Sequence, residues 1–564
     1  MKRLLALFFV MLLILGLATS CSEHKSLDNA ETEESTEPED NTKPATGESD
    51  MEKSDEEPRM EGINEIKDWL GYMPKLGETP DEIVVINSFA NDGEKLLAES
   101  LQGVTAREKA FLCLSGGNSE KWLAAIKKQL GEKVCISYIS DVWAALEKYA
   151  DCVPRKEYVL CDTGSVNAAC TIAAAEGVLV AFEPGARKLE QLGYTKLADA
   201  RGLSDADAIR RYKDKLSTIA LVQQDPKNFA LRDFGIAYGL GFYYYTESGK
   251  KQLDEAAEIH GYIDSGAPVF GWGPGDEYTH VKTKANHGLV TVPSDHAWNL
   301  SLYSALPREQ LEQINEYGEG AEALDGKHYV AMIMTDGDNV QWIVNDFSGP
   351  KWFGSPERGK IPMAWMFPPT LLDVSPQTAK WLYLQQTKND MFMNALSGTG
   401  YFYPSELPEE AFDRQLEKLE FYMDACDLDT IVIMDNFVPT KKALGKYASV
   451  ERLRGGVLFT YPEKYKGAKG KIYWVNDKPF VSVRNSLWEV KDITAFAKEV
   501  ARDIKRLGYD ITTPDAYSVI VVHCWSHTYS DAVLFARKLM ELDDKVKFVR
   551  VDQLIKLVAD NVKH

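Results

Sequence analysis

Short apolar runs alternate with amphipathic stretches between Asp81 and Tyr245, which predicts strands and helices in turn. The predicted strands are Glu82–Ile86, Ala110–Leu114, Tyr158–Cys161 and Gly177–Phe182. The predicted helices are Leu96–Leu101, Glu120–Leu130 and Val166–Ala175. Strands that alternate with helices are typical of an α/β layer domain with a mostly parallel sheet.

The alternation continues through the second half of the chain. The candidate strands there are Pro268–Trp272, Tyr329–Thr335, Pro362–Phe367, Met391–Leu396, Thr430–Met434, Gly456–Phe459, Phe480–Arg484 and Val519–Val522. Amphipathic stretches such as Pro408–Cys426 and Val490–Leu507 lie between most of them. Roughly eight β–α steps favour a (β/α) barrel, with an open doubly wound sheet as the alternative.

The predicted fold class is therefore α/β, with an amino-terminal α/β layer domain followed by a barrel-like carboxyl-terminal domain. The predicted boundaries are 1–20 for a signal peptide, 21–58 for a lipidated cysteine and its tether, 59–250 for the layer domain and 251–564 for the catalytic domain.

The amino terminus has the pattern of an export signal. Two basic residues precede an apolar run, Leu4–Leu17, and small residues stand before Cys21. The run is shorter than the roughly 20 apolar residues that a membrane-spanning helix needs. Small residues directly before a cysteine resemble a bacterial lipoprotein box, so we expect lipid on Cys21. The predicted location is exported and membrane-anchored, facing the periplasm or the cell exterior.

Residues 22–58 contain fourteen Asp or Glu, three Lys and no aromatic residue, which predicts a disordered acidic tether. This segment carries about half of the formal net charge of −21. No basic patch occurs elsewhere, so nucleic acid is excluded as a partner. The sequence has no complete dinucleotide or P-loop pattern and no metal-type CxxC pair, so we predict no cofactor.

Polar and aromatic residues follow the predicted strands of the second half. In a (β/α) barrel, the carboxyl ends of the strands carry the active site. The catalytic candidates are the acids Glu277, Asp336, Asp338 and Asp435. The candidates for substrate binding are Trp272, Asn339, Trp342, Gly398, Gly400, Tyr401, Tyr403, Glu406, Arg484, His523 and Trp525.

Aromatic rings beside carboxylates suit a sugar, because rings stack on the apolar face of a pyranose while acids and amides bind its hydroxyl groups. Glycosidic cleavage usually needs two carboxyl groups, one of which donates a proton. The pattern leaves open which two acids face each other.

The segment Gly398–Pro404 reads G-x-G-Y-x-Y-P and resembles the GxGYxYP putative glycoside hydrolase family. Further similar blocks are Gly271–Gly273 with Glu277, Pro293–Asp295 with Asn299–Ser301, Asp336–Trp342, and His523 with Trp525. Leu101–Gly103 with Arg107, and Arg232–Asp233, are similar to the family's amino-terminal domain. The resemblance implies an exported two-domain protein with a barrel-like carboxyl-terminal domain and hydrolase activity. Gly398 and Gly400 permit a close approach that sets Tyr401 and Tyr403 at the rim, or else this loop plugs the barrel mouth.

Three functions fit these observations. The first is a glycoside hydrolase that acts on an extracellular glycan and pairs Asp336 or Asp338 with Glu277 or Asp435. The second is a metal-dependent carbohydrate deacetylase, with Asp336, Asp338, His523 and His527 as candidate ligands. The third is a non-catalytic glycan-binding lipoprotein.

Overall fold

A computed structural model of the protein describes residues 65–245 and 250–564. The predicted signal peptide, the lipidated Cys21 and the acidic tether lie outside the described residues. Among the helices that are described, none is both long and apolar enough to cross a membrane.

Two small parallel sheets form the first part of the described chain, which confirms the predicted α/β layers. The first sheet has the order β2-β1-β3 and the second the order β5-β4-β6. The strands are β1 (Glu82–Ser88), β2 (Leu112–Leu114), β3 (Cys135–Asp141), β4 (Glu157–Cys161), β5 (Leu179–Phe182) and β6 (Thr195–Asp199). The helices are α1 (Asp92–Ala106), α2 (Ser119–Leu130), α3 (Val142–Lys148), α4 (Val166–Glu176), α5 (Glu183–Gln191) and α6 (Asp205–Tyr212).

A third parallel sheet, with the order β10-β9-β7-β8, stands between these layers and the barrel in the sequence. Its strands are β7 (Leu221–Gln223), β8 (Gly241–Tyr243), β9 (Pro268–Gly271) and β10 (Val290–Val292). Its helices are α7 (Arg232–Ala237), α8 (Lys250–His260), α9 (Glu277–Asn286) and α10 (Leu300–Tyr303). The assignment of Pro268–Trp272 to the barrel is wrong, because β9 pairs with β7 and β10. The boundary predicted near residue 250 passes through this sheet.

A closed barrel of seven parallel strands follows, which confirms the barrel-like fold predicted for the carboxyl-terminal region. The ring runs β11-β12-β13-β14-β15-β17-β18 and closes where Ile333 and Met334 pair with Ala364 and Trp365. The strands are β11 (His328–Met334), β12 (Met363–Phe367), β13 (Asp390–Asn394), β14 (Thr430–Asp435), β15 (Gly455–Thr460), β16 (Ile472–Val475), β17 (Lys478–Leu487), β18 (Tyr517–Val522) and β19 (Val546–Phe548). The helices are α11 (Val340–Val344), α12 (Leu371–Val374), α13 (Pro376–Leu384), α14 (Glu409–Ala425), α15 (Lys441–Ala448), α16 (Ile493–Leu507), α17 (Tyr529–Leu542) and α18 (Val551–Asn561).

Strands β12 and β19 both pair with the same edge of β11. Along its other edge, β11 pairs with β18 from Tyr329 to Met334. β19 must therefore use the same edge as β12, where it pairs with His328–Val330 at the amino-terminal half. The ring closes with seven strands at the opposite half, where the carboxyl ends meet.

The barrel interior is packed with side chains rather than open. All seven residues of β11 are buried, as expected for a parallel strand covered on both faces. Ala331 and Ile333 pack into the inner cluster with Met393 and Val432, whereas Val330 and Met332 belong to the outer cluster that packs against the helices. The inward series of β11 continues to Thr335, which lines a cavity above this interior.

Candidate functional site

A cavity of about 190 Å³ lies at the carboxyl ends of the barrel strands. It brings together seven of the residues predicted from sequence, which are Trp272, Glu277, Asp336, Asp338, Asn339, Tyr401 and Trp525. Its other walls are Pro293, Thr335, Gln341, Met366, Leu396, Met434, Phe459 and Tyr465. Three carboxyl groups therefore share one small space with aromatic rings.

The turn from β11 to α11 positions two of these acids. Asp336 has a positive φ of 64°. A Cβ atom on Gly337 would lie 1.9 Å from the carbonyl oxygen of Met366, so the turn presses against the end of β12 at a point where only glycine fits. Asn339 then caps α11, because its side-chain oxygen accepts a hydrogen bond from the Trp342 N–H at 3.1 Å. The Asp-Gly-Asp-Asn order is thus a tight strand-to-helix turn with both carboxyl groups on the cavity.

Asp336 accepts hydrogen bonds from residues at the ends of two neighbouring strands. The indole N–H of Trp525 donates to Oδ1 at 3.0 Å, and the thiol of Cys524 donates to Oδ2 at 3.4 Å. The hydroxyl of Thr335 also donates to Oδ2. These donors fix the Asp336 carboxyl, and they also orient Trp525, which remains 54% exposed at the rim.

Asp338 differs sharply from Asp336 although the two are two residues apart. Its side chain is only 9% exposed, and its carboxyl receives no hydrogen bond from another residue in the described part of the chain. Burial, together with the negative charges of Asp336 and Glu277, raises the pKa of Asp338 to about 8. Asp338 therefore holds its proton at neutral pH.

Glu277 enters the cavity from the third sheet rather than from the barrel. It is the first residue of α9, whose N-cap is Asp276. Its Oε1 accepts a hydrogen bond from the Tyr401 hydroxyl at 2.7 Å. Burial raises the pKa of Glu277, with Asp336 adding to the effect and the Tyr401 hydrogen bond opposing it. The cavity is thus assembled from two parts of the fold.

The GxGYxYP segment joins the third sheet to the barrel. Thr291 at the centre of β10 exchanges two backbone hydrogen bonds with Tyr401, at 2.9 and 2.7 Å. A Cβ atom on Gly400 would lie 3.0 Å from Val290, and Gly398 has a positive φ of 148°. Tyr401 forms a cavity wall, and its hydroxyl lies 3.0 Å from that of the buried Tyr403. The two tyrosines stand inside the mouth rather than at its rim.

Asp435 and Glu406 lie beside the cavity and not on it. The Asp435 carboxyl accepts hydrogen bonds from the Ser405 N–H at 3.0 Å and the Ser405 hydroxyl at 2.6 Å. It lines a neighbouring cavity of about 220 Å³. Glu406 pairs with Lys282 at 2.9 Å. Asp435 therefore holds the end of the GxGYxYP segment in place.

Three other predicted residues also lie off the cavity wall. Arg484 donates to backbone carbonyl oxygens of Gly470 and Tyr517, at the amino-terminal end of β18. His523 stacks on Trp488 with ring centroids 3.7 Å apart. Trp342 packs behind Trp525, with ring centroids 5.4 Å apart. His523 and Trp342 support the aromatic rim, whereas Arg484 braces the barrel wall.

Sequence reasoning missed Tyr465 and Phe459, which line the cavity from β15 and the loop after it. The Thr460 N–H donates to the Tyr465 carbonyl at 3.3 Å, which folds this loop back over the strand end. Burial and the charges of the three acids raise the pKa of Tyr465. Tyr465 lies in the loop that follows the predicted strand Gly456–Phe459, so the rule that strand ends carry the site could have found it.

The imidazoles that a metal site would need are engaged elsewhere. Nε2 of His527 accepts a hydrogen bond from the Val490 N–H at 3.1 Å, and Nδ1 lies 3.6 Å from Asp531. In the part of the chain that the structure describes, no group of three or more His, Cys, Asp or Glu side chains is placed to hold a metal ion. The deacetylase alternative therefore lacks the donor set that motivated it.

The fold and the cavity define the class of protein: an α/β protein with a seven-stranded barrel and an acidic, aromatic-lined site at the carboxyl ends of its strands. Four models of one family match this chain in consecutive order. They are the GxGYxYP_N first domain (82–151), the GxGYxYP_N second domain (156–216), the GxGYxYP third domain (217–305) and the GxGYxYP putative glycoside hydrolase C-terminal domain (326–559). Models of GxGYxYP family domains thus match the chain between residues 82 and 559, as its central motif indicated.

One solved structure agrees with the fold. A crystal structure of a putative hydrolase from Bacteroides thetaiotaomicron matches with a TM-score of 0.79 and 24% identity, and the match covers 87% of this chain and 97% of that one. A 4-alpha-glucanotransferase from Thermococcus litoralis matches with a TM-score of 0.29 and 11% identity, over 41% of this chain and 40% of that one. A comparison with curated proteins finds no match.

Proposed function

We propose that the protein is a glycoside hydrolase in which Asp338 donates a proton to the leaving oxygen and Glu277 is the partner carboxylate. The observation that carries this proposal is the contrast inside one cavity. Asp338 is buried and protonated at neutral pH, while Glu277 approaches from a different element and accepts a hydrogen bond from Tyr401. One acid that keeps its proton and one ionised carboxylate are what glycosidic cleavage requires.

The walls of the cavity support a sugar as the substrate. The indole ring of Trp525 is half exposed at the rim, and Trp272, Tyr401 and Tyr465 line the interior. Aromatic faces can stack on a pyranose ring, while the side-chain amides of Asn339 and Gln341 can bind its hydroxyl groups. The C-terminal domain model, which is described as a putative glycoside hydrolase, supports this proposal.

A glycan panel with matched variants tests the proposal. We expect the wild-type protein to release reducing sugar from at least one glycan, and we expect Asp338→Asn to lower the rate by about 10²–10⁴-fold, the usual contribution of a general acid. Glu277→Gln should also lose activity, whereas Asp346→Asn, at an exposed aspartate outside the cavity, should retain it. Binding without turnover across the panel, or full activity in Asp338→Asn, would contradict the proposal.

In this proposal, the protein is held at a membrane surface and acts on an extracellular glycan. The signal-like amino terminus, Cys21 and the acidic segment that follows support an exported lipoprotein. Cys21→Ala should therefore move the protein from the detergent-extracted membrane fraction to the soluble fraction. Equal membrane retention of this variant would refute lipid anchoring at Cys21.

A further inference from the structure

The charged side chains on the described wall of the cavity are all acidic. Among the residues that the structure describes, its lining contains three acids, Glu277, Asp336 and Asp338, and no Lys, Arg or His. Two basic side chains near the wall are already paired, since Lys282 binds Glu406 at 2.9 Å and Lys464 binds Glu489 at 2.8 Å. A ligand entering this space therefore meets negative charge that no lining side chain offsets.

The imidazole of His523 does not supply the missing positive charge. Its ring stacks on Trp488, and burial lowers its pKa, although the nearby Asp336 opposes that shift. His523 is therefore neutral at neutral pH. His523 therefore does not offset the negative charge of the cavity acids.

The surroundings of one of these acids also point to a ligand. Asp338 is more than nine-tenths buried and lines the cavity without a hydrogen bond from another residue among those described. A buried polar group without a partner is costly unless a ligand supplies one. The Asp338 carboxyl thus points to a ligand that supplies its hydrogen-bond partner.

The aromatic walls favour the same kind of ligand. Trp272, Tyr401, Tyr465 and Trp525 surround the carboxyl groups. Faces of Trp and Tyr attract cations, and aromatic cages with nearby acids are a recurring means of binding ammonium groups. An ammonium would also offset the charge of Glu277 and Asp336, whereas a uronic acid or sulfate ester would add a further negative charge.

We propose that the sugar unit that enters this cavity carries a protonated amine, as in a 2-amino-2-deoxyhexose. Glu277 and Asp336 neutralise the ammonium, and the aromatic walls enclose it. A uronic acid of the same size is rejected by the same two carboxylates. This inference names the substrate class of the proposed hydrolase, but its binding step does not depend on turnover.

Calorimetric titration of the full-length protein with four kinds of methyl glycoside tests this inference. The probes are the methyl glycosides of the amino sugar, its N-acetyl form, the neutral hexose and the corresponding uronic acid, each in gluco and galacto configuration. We expect one amino sugar to bind at least tenfold more tightly than its N-acetyl and neutral counterparts, and the uronic acid not to bind. Glu277→Gln and Asp336→Asn should each reduce this preference, whereas Asp346→Asn should preserve it.

Equal affinity for amino and neutral sugars, preference for the uronic acid, or no binding of either amino sugar would overturn the inference. Its failure is distinguishable from failure of the proposed function. Hydrolysis of neutral glycosides without amine preference would overturn only the substrate class. Amine-selective binding with no hydrolysis of any glycan would overturn only the glycosidase.

Discussion

At the scale of single residues, the two aspartates of one turn have opposite environments. Three donors reach Asp336, from Thr335, Cys524 and Trp525. Asp338 receives no such hydrogen bonds from other described residues, and it is buried where the charges of Asp336 and Glu277 reach it. The difference separates an anchored carboxylate from a carboxylic acid that retains its proton.

The raised pKa of Asp338 has a measurable effect on stability. The unfolded chain loses this proton near pH 4, whereas the folded protein keeps it until about pH 8. The folded state therefore binds more protons between these values, and stability falls as pH rises, by about 1.4 kcal/mol per pH unit from this group. Asp338→Asn removes the titration, so its melting temperature relative to wild type should be higher at pH 8 than at pH 5.

The exposed aspartate Asp346 provides the control for this measurement. Asp346→Asn should show the same small difference from wild type at both pH values, because it is solvated in either state. A melting-temperature difference for Asp338→Asn that does not change with pH would show that the Asp338 carboxyl is not held protonated by the fold.

Residues that directly follow a strand could be predicted to share a site, because carboxyl ends of parallel strands meet at one end of a barrel. Asp336, Asp338 and Trp525 fit this rule. The rule did not tell which way each side chain points, so it also selected Asp435, which binds Ser405, and Arg484, which binds the amino-terminal end of β18. Side-chain direction depends on register and on bulges such as the shift between Val483 and Asn485, which the sequence pattern does not show.

At the scale of elements, the turn between β11 and α11 determines where the acids stand. Gly337 lies against the Met366 carbonyl, so the turn and the end of β12 are packed as one unit. Strands buried on both faces were predicted accurately, as β11 and β14 show, because they read as continuous apolar runs. β3 was not predicted, because none of its residues is buried and it lacks such a run.

Adding one methyl group at Gly337 should disturb this unit. We expect Gly337→Ala to lower stability by about 1–3 kcal/mol, the usual cost of overpacking, and to lower activity because both acids shift. Gly164→Ala is the matched control, since its new Cβ atom would meet nothing closer than 3.6 Å. Melting temperatures and glycan hydrolysis of the two variants provide the measurement, and equal behaviour of both would contradict the packing argument.

At the scale of the whole molecule, the site exists only because the third sheet and the barrel meet. Glu277 comes from α9 of that sheet, Thr291 of β10 binds Tyr401, and the remaining acids come from the barrel. The sequence pattern predicted alternating strands and helices but could not separate β9 from the barrel strands, because both are short buried parallel strands. Only strand pairing distinguishes them.

The dependence of kcat/KM on pH, measured with a substrate from the glycan panel, tests the central claim most directly. Asp338 must be protonated and Glu277 ionised, so the profile should be bell-shaped, with its alkaline limb near pH 8 where Asp338 loses its proton. The residual activity of Asp338→Asn should lack that alkaline limb. Wild-type activity that stays constant well above pH 8, or an Asp338→Asn variant with the wild-type rate and profile, would contradict the account.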